Sequence, residues 1–224
     1  KGMYFEALSN AVLDGIIMDN SGTDAGYGYN AGIDINLKYG NYSNITIQNS
    51  EFTNCGAKGI APETQLDNPV AVAIKARDDG GYAGNPATLN DVTVINNIIS
   101  GPQNGLRFGE FGKVNAGPTN VVVNYNDLGG AFANLALVNN TNADIDANCN
   151  WWGTTASGTI ASKISGLGSG IVNADTWLVD GTDDSTDSGF QPVPNACDGT
   201  PVVIESVTAY EQTCDNNGSI VVEF

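Results

Sequence analysis

Two kinds of short, apolar, strand-like segment alternate five times between Met3 and Asn150, and few folds accept such a pattern. The first kind is Met3–Ala7, Ile33–Leu37, Val72–Ala76, Leu106–Glu110 and Leu135–Asn139. The second follows each after a loop: Ala11–Met18, Ile45–Phe52, Val92–Ile99, Val121–Leu128 and Ala143–Asn150. First segments begin at residues 3, 33, 72, 106 and 135, so the repeat runs from 29 to 39 residues. Within each segment apolar residues recur at i and i+2, the period of a strand and not of a helix. The variable loops argue against a hairpin meander with fixed turns. A repeat of about 25–40 residues with two or three short strands in register marks a parallel β-solenoid. In that register Leu13, Ile47, Val94, Val123 and Ile145 form one inward column, and Met18, Phe52, Ile99 and Leu128 a second. Ser50, Asn97, Asn126 and Asn148 meet at the corner between them, where Asn side chains can bond their own backbone and the coil above.

Corners on this scale account for the composition. Gly and Asn each occur 28 times, and both tolerate the left-handed backbone of tight turns while disfavouring helices. The 25 acidic residues outnumber the 8 basic ones, for a formal charge of −17. So acidic a chain repels nucleic-acid phosphate, which excludes a phosphate-backbone binder. Without His there is no His-based triad, His-ligated metal or imidazole acid–base group. A 41% hydrophobic content is too apolar for an acidic disordered tail, and no apolar run reaches the roughly 18–20 residues that span a bilayer.

The coil pattern Val-Thr-Ile-x-Asn-Asn-x-Ile-x-Gly, seen around Val92–Gly101, resembles that of the right-handed parallel β-helix (pectate-lyase-like) proteins. Asn148-Cys-Asn-Trp-Trp-Gly153 is similar to the segment that closes such helices in secreted bacterial surface proteins, and Trp177–Asp183 with Gly189-Phe-Gln191 resembles the tail that follows it. The resemblance covers residues 1 to about 192 and implies an all-β fold, a right-handed parallel β-helix of about five coils, in an extracellular or cell-surface protein. It implies no single activity, because lyases, hydrolases, tailspikes and adhesins share the fold.

On this reading residues 1–153 are the coils, 154–192 a cap and acidic linker, and 193–224 a short β segment similar to the start of an Ig-like surface repeat. Ile160, Ile164 and Leu167 stand at near-helical spacing, which predicts a short helix or irregular cap within 157–170. Trp151, Trp152 and Trp177 suit an end cap, since the last coil exposes a strand edge. Val202–Val207 and Ser219–Phe224 alternate as two strands, and Lys1-Gly-Met enters directly on a coil, so the chain reads as a fragment of a larger secreted protein. Asp180, Asp183, Asp184 and Asp187 can offer oxygen ligands to Ca²⁺, although the run lacks the Gly and terminal Glu of an EF-hand loop; the alternative is a solvated linker. Cys55 and Cys149 fall three coil steps apart, about 14 Å, beyond the roughly 7 Å limit for a disulfide, so both are expected unpaired and buried. Cys197 and Cys214 flank the first C-terminal strand and are expected to pair. Sequons at Asn41, Asn44, Asn139 and Asn217 permit glycosylation.

Half of the basic residues, Lys38, Lys75, Arg77 and Arg107, sit on or just after first-kind strands. The register puts Glu6, Asn36 and Lys75 in one outward column, Asp34 and Arg107 in another, and Lys38 beside Arg77. Neighbours in such columns lie about 5 Å apart, so these residues form one mixed-charge binding patch. In one reading Arg77, Arg107 and Lys75 bind uronate carboxylates, and one cation of lowered pKa abstracts a proton for β-elimination. Similar β-helix lyases use Lys and Arg with Ca²⁺ held by acidic residues, a role open to Asp78 and Asp79. A glycosidase would need paired carboxylates, Asp34 with Asp78 or Asp79. In the other reading the cations pair with Glu6, Asp34 and Glu110, and the chain is a stalk, filament component or glycan-binding adhesin. Its partners are then carbohydrate or other surface proteins, or further copies end to end.

Overall fold

The computed structural model describes residues 1–57, 68–101, 103–193, 197, 206–209 and 220–223. Its strands form three parallel sheets. The first holds β1 (Met3–Phe5), β4 (Ala31–Leu37), β7 (Val70–Ala76), β10 (Asn104–Phe108), β12 (Leu135–Asn139) and β14 (Ile164–Ser165) in that order. The second holds β2 (Ala11–Asp14), β5 (Gly40–Gln48), β8 (Ala87–Ile95), β11 (Thr119–Asn124), β13 (Ile145–Asp146) and β15 (Val172–Asn173). The third holds β3 (Ile17–Asp19), β6 (Glu51–Thr53) and β9 (Ile98–Ser100). Each winding gives one strand to a sheet and pairs with the winding before it, the arrangement of a parallel β-solenoid. One α-helix, α1 (Ser157–Ser162), and an antiparallel pair, β16 (Ser206–Ala209) with β17 (Ile220–Glu223), complete the described elements. Among the described residues no helix is long and apolar enough to cross a membrane.

Alternation sets the core. Ile33, Val72, Leu106 and Leu137 stack through the first sheet, and Leu13, Ile47, Val94 and Val123 through the second. Apart from the half-buried Leu13, all of these are at most 1% exposed. Met18, Phe52 and Ile99 stack through the third sheet as expected. The corners between sheets are columns of left-handed residues, and among the described residues seven of the eleven non-glycine residues with positive φ are Asn. This is why Asn is so abundant: a corner repeated in every winding needs the same unusual backbone conformation each time.

Just past one corner, buried polar side chains run up the solenoid. Ser50 N–H donates to Asn97 Oδ1 at 3.1 Å, Asn97 N–H to Asn126 Oδ1 at 3.0 Å, and Asn126 N–H to Asn150 Oδ1 at 2.9 Å. The amide of Asn97 also donates to the carbonyls of Ile47 and Ile95. Asn150, not Asn148, is thus the fourth rung, and Ile145 pairs with Val121 instead of Val123. The last repeat is registered two residues later than its apolar pattern suggested, because the buried amide of Asn150 fixes the corner.

That shift moves the cysteines. Cys149 falls in the left-handed column of Asn49, Asn96 and Tyr125, where its half-buried side chain forms a disulfide with Cys197. Both the expected Cys197–Cys214 pairing and the unpaired Cys149 are therefore corrected; Cys214 lies outside the described residues. Cys55 is a buried free thiol, its Sγ near the carbonyls of Met18 and Thr53. The expected strand Val202–Val207 lies mostly outside the described residues, and β16 begins at Ser206.

Beyond Gly153 the sheets continue: β14 pairs with β12 and β15 with β13. The short helix expected within 157–170 is α1, after which Gly166, Gly168 and Gly170 run flush against the previous winding. A Cβ on Gly168 would lie 1.8 Å from the carbonyl oxygen of Thr141. Trp152, Trp177 and Ile160 close this end of the core, each at most 4% exposed.

The acidic stretch that follows is more than a linker. Leu178 and Asp183 form antiparallel bridges with Cys197 and Pro192. Between them the chain runs back along the solenoid, and Phe190 exchanges two hydrogen bonds of 2.9 Å with Asn96. Phe190 is 1% exposed and anchors the excursion, while the acidic turns at 181–184 and 186–187 stay exposed.

Candidate functional site

The outward face of the first sheet gathers the charged residues singled out by the sequence. Register places Asn36 opposite Lys75, and Tyr4, Asp34, Ala73 and Arg107 in one row. β4 and β7 are buried on both faces, so these outward side chains sit in low-dielectric surroundings: Asp34, Asn36, Lys75 and Arg107 are all at most 6% exposed.

A buried charge needs a counter-charge, and most find one within the chain. Lys1 Nζ lies 2.5 Å from Asp34 Oδ2, and Lys75 Nζ lies 2.8 Å from Asp34 Oδ1 and 3.3 Å from Glu110 Oε2. Arg77 Nη1 meets Glu110 Oε2 at 3.0 Å, while its Nε and Nη2 grip both oxygens of Asp79 at 2.7 and 2.9 Å. The connected network holds three cations (Lys1, Lys75, Arg77) and three carboxylates (Asp34, Glu110, Asp79), so it is neutral. Lys38 pairs with Glu6 beside it. The two groups are joined through Tyr4, which donates to Glu6 at 2.6 Å and accepts from Asn36 at 3.0 Å, and through Asn36, which accepts from Arg77 at 3.4 Å.

The titrations follow from this geometry. Burial pushes the Asp34 carboxyl up, but Lys75 and Lys1 outweigh it and hold Asp34 below the ordinary carboxylate value. The bidentate Arg77 does the same for Asp79. Desolvation lowers the Lys75 ammonium despite the opposing pull of Asp34 and Glu110. The Glu6 carboxylate raises Lys38.

The acidic residues considered for calcium make hydrogen bonds within the chain. Asp79 is committed to Arg77, and Asp78 accepts from the Asn115 side chain and, at 2.7 Å, from the Ala116 N–H. Asp180 and Asp183 bond backbone N–H groups at Thr182 and at Ser185 and Gln191, and Asp184 N–H donates to the carbonyl of Gln191. Asp187 N–H donates to Ser185 Oγ at 3.0 Å. Among the described residues no three of His, Cys, Asp and Glu converge as metal ligands. The sequon residue Asn139 is 2% exposed and donates its amide to the carbonyls of Ala143 and Gly170, so the fold shields it from modification. Asn41 and Asn44 remain exposed, and Asn217 lies outside the described residues.

Above the network opens a cleft of about 410 Å³, whose rim carries Lys1, Lys113, Phe111 and the tilted ring pair Tyr27–Tyr29, 5.6 Å between centroids. Lys1, Tyr27 and Tyr29 were not singled out by the sequence. Alternation in Lys1–Phe5 offered a signal for Lys1 and Tyr4, whereas the tyrosines reach the face from a loop.

Fold and site together define a mostly-β protein of the parallel β-solenoid class with a charged, internally paired outer face. No protein-family model matches the chain, and no curated protein or solved structure matches it either.

Proposed function

We propose that this chain is a right-handed parallel β-helix, serving as a structural or adhesive module of a larger extracellular or cell-surface protein. The near-universal right-handedness of parallel crossovers supports the hand. One observation carries the functional reading: Lys75 and Arg77, two of the three cations that a polysaccharide lyase would need, are neutralised by the chain's own carboxylates. Lys75 is held between Asp34 and Glu110, and Arg77 is clamped by Asp79. A general base must reach the proton it abstracts, and here the amino group is engaged. The adhesive half of the reading is supported by the open cleft with its tyrosine pair and the exposed Lys113, a surface that suits sugar rings and acidic groups.

The test is incubation with pectate and with alginate, with and without Ca²⁺, following ultraviolet absorbance of unsaturated uronate together with retardation of the protein in polysaccharide-containing gels. The expected result is no absorbance change, with retardation marking an adhesive role. A uronate-dependent rise that disappears in Lys75→Ala would overturn the proposal in favour of a lyase.

A further inference from the structure

Among the described residues, Arg107 is the buried cation that the ionic network leaves out. It is 3% exposed, and no carboxylate of the described residues lies within ion-pair distance of it. Its Nη1 donates to the carbonyl of Asn68 at 2.5 Å and its Nε to that of Gly109 at 3.3 Å. Nη2 donates to no described residue. The Phe111 ring sits 5.9 Å from the guanidinium carbon. A buried guanidinium served only by neutral acceptors is costly unless an anion completes it.

Arg107 lines a second cleft, of about 270 Å³, further along the same face. Its walls are Phe111, Leu135, Val138 and Leu167, with the amides of Asn134 and Asn140. Those amides are partly engaged: Asn134 donates to Asn104 at 2.9 Å, and Asn140 donates to the Glu110 carbonyl and accepts from Leu167 N–H. The cleft therefore offers one charged donor, Arg107, beside the Ser165 hydroxyl and a largely apolar wall. A phosphate would find too few donors, and the hydroxyls of a sugar would be stranded.

We infer that this cleft binds a small organic carboxylate with an apolar body, its carboxylate held by Arg107 and its body packed on Phe111, Leu135 and Leu167. The volume lies at the small end for ligand sites, enough for a single aryl or branched aliphatic acid. A charge-assisted hydrogen bond supplies the orientation, and burial of the body supplies most of the affinity. This inference goes beyond the structural or adhesive role and stands whether or not that role is correct, since Arg107 lies outside the neutral network.

Calorimetric titration of the full chain with 3-phenylpropionate tests it, with 3-phenylpropanamide and galacturonate as comparison ligands. Saturable binding is expected, with both comparison ligands at least about tenfold weaker. Leu167→Asp, at a rim position 60% exposed, places a negative charge beside the carboxylate and should abolish binding with the melting temperature unchanged. Arg107→Met should also abolish it; if that variant fails to fold, Leu167→Asp still decides. No saturation below about 10 mM, equal affinity for the amide or for galacturonate, or unchanged affinity in Leu167→Asp overturns the site.

Discussion

Asp34 shows how much one side chain on a solenoid face can control. It sits 2% exposed between two ammonium groups, and its charge is tolerated only because both are present. Its carboxyl and that of Asp79 titrate below the ordinary carboxylate value when folded. The stability they contribute is therefore complete above about pH 4 and is lost as pH falls through the folded values. Asp34→Asn is expected to lower stability at neutral pH by about 3 kcal/mol, because Lys1 and Lys75 lose their shared counter-charge. It should also flatten the acid limb of a plot of melting temperature against pH below about pH 4. An acid limb as steep as that of the parent chain would show that other carboxylates govern acid unfolding. The rows that bring these residues together were legible from alternation alone, since register turns position in sequence into position on a face. Burial was not legible, because it comes from loops lying over the sheet.

At the scale of elements, the disulfide and the excursion it closes are the main departure from what the repeat pattern suggested. The apolar alternation of Ala143–Asn150 is weak, with only Ala143, Ile145 and Ala147 to align, so a two-residue slip left it equally satisfied. The buried amide of Asn150 breaks that tie, and with it Cys149 turns outward to meet Cys197. The excursion of residues 178–197 left only faint traces in sequence: its Asp residues cap their own turns, and Phe190 is an isolated apolar anchor. Peptide mapping under non-reducing conditions should link Cys149 to Cys197, and Cys149→Ser should destabilise the folded chain. Closing a 48-residue separation is worth about 4 kcal/mol in the chain-entropy account, and denaturant unfolding of oxidised and reduced protein measures it. Equal midpoints would mean that the packing of Phe190 and Trp177 holds the excursion without the covalent link.

For the whole molecule, the charge of −17 and the neutral network act at different ranges. The network is buried and weakly screened, whereas the excess carboxylates lie mostly on the surface, where like charges repel across the solenoid. Raising NaCl from about 0.01 to 0.15 M, which shortens the screening length from about 30 to 8 Å, is expected to raise the melting temperature. A fall in scanning calorimetry would show that exposed ion pairs, such as Lys38 with Glu6, outweigh the general repulsion. Composition thus announced the acidic surface and the Asn-rich corners, and it concealed a face where opposite charges balance.

The Cys149–Cys197 bond also changes how the molecule would carry load. Tension applied to the chain beyond residue 197 enters the solenoid at the Cys149 corner through the sulfur bridge. The 47 residues between the two cysteines, including the Trp-rich end and the packed excursion, are then short-circuited out of the force path. Pulling strains the stacked windings directly, while the end that covers them stays slack.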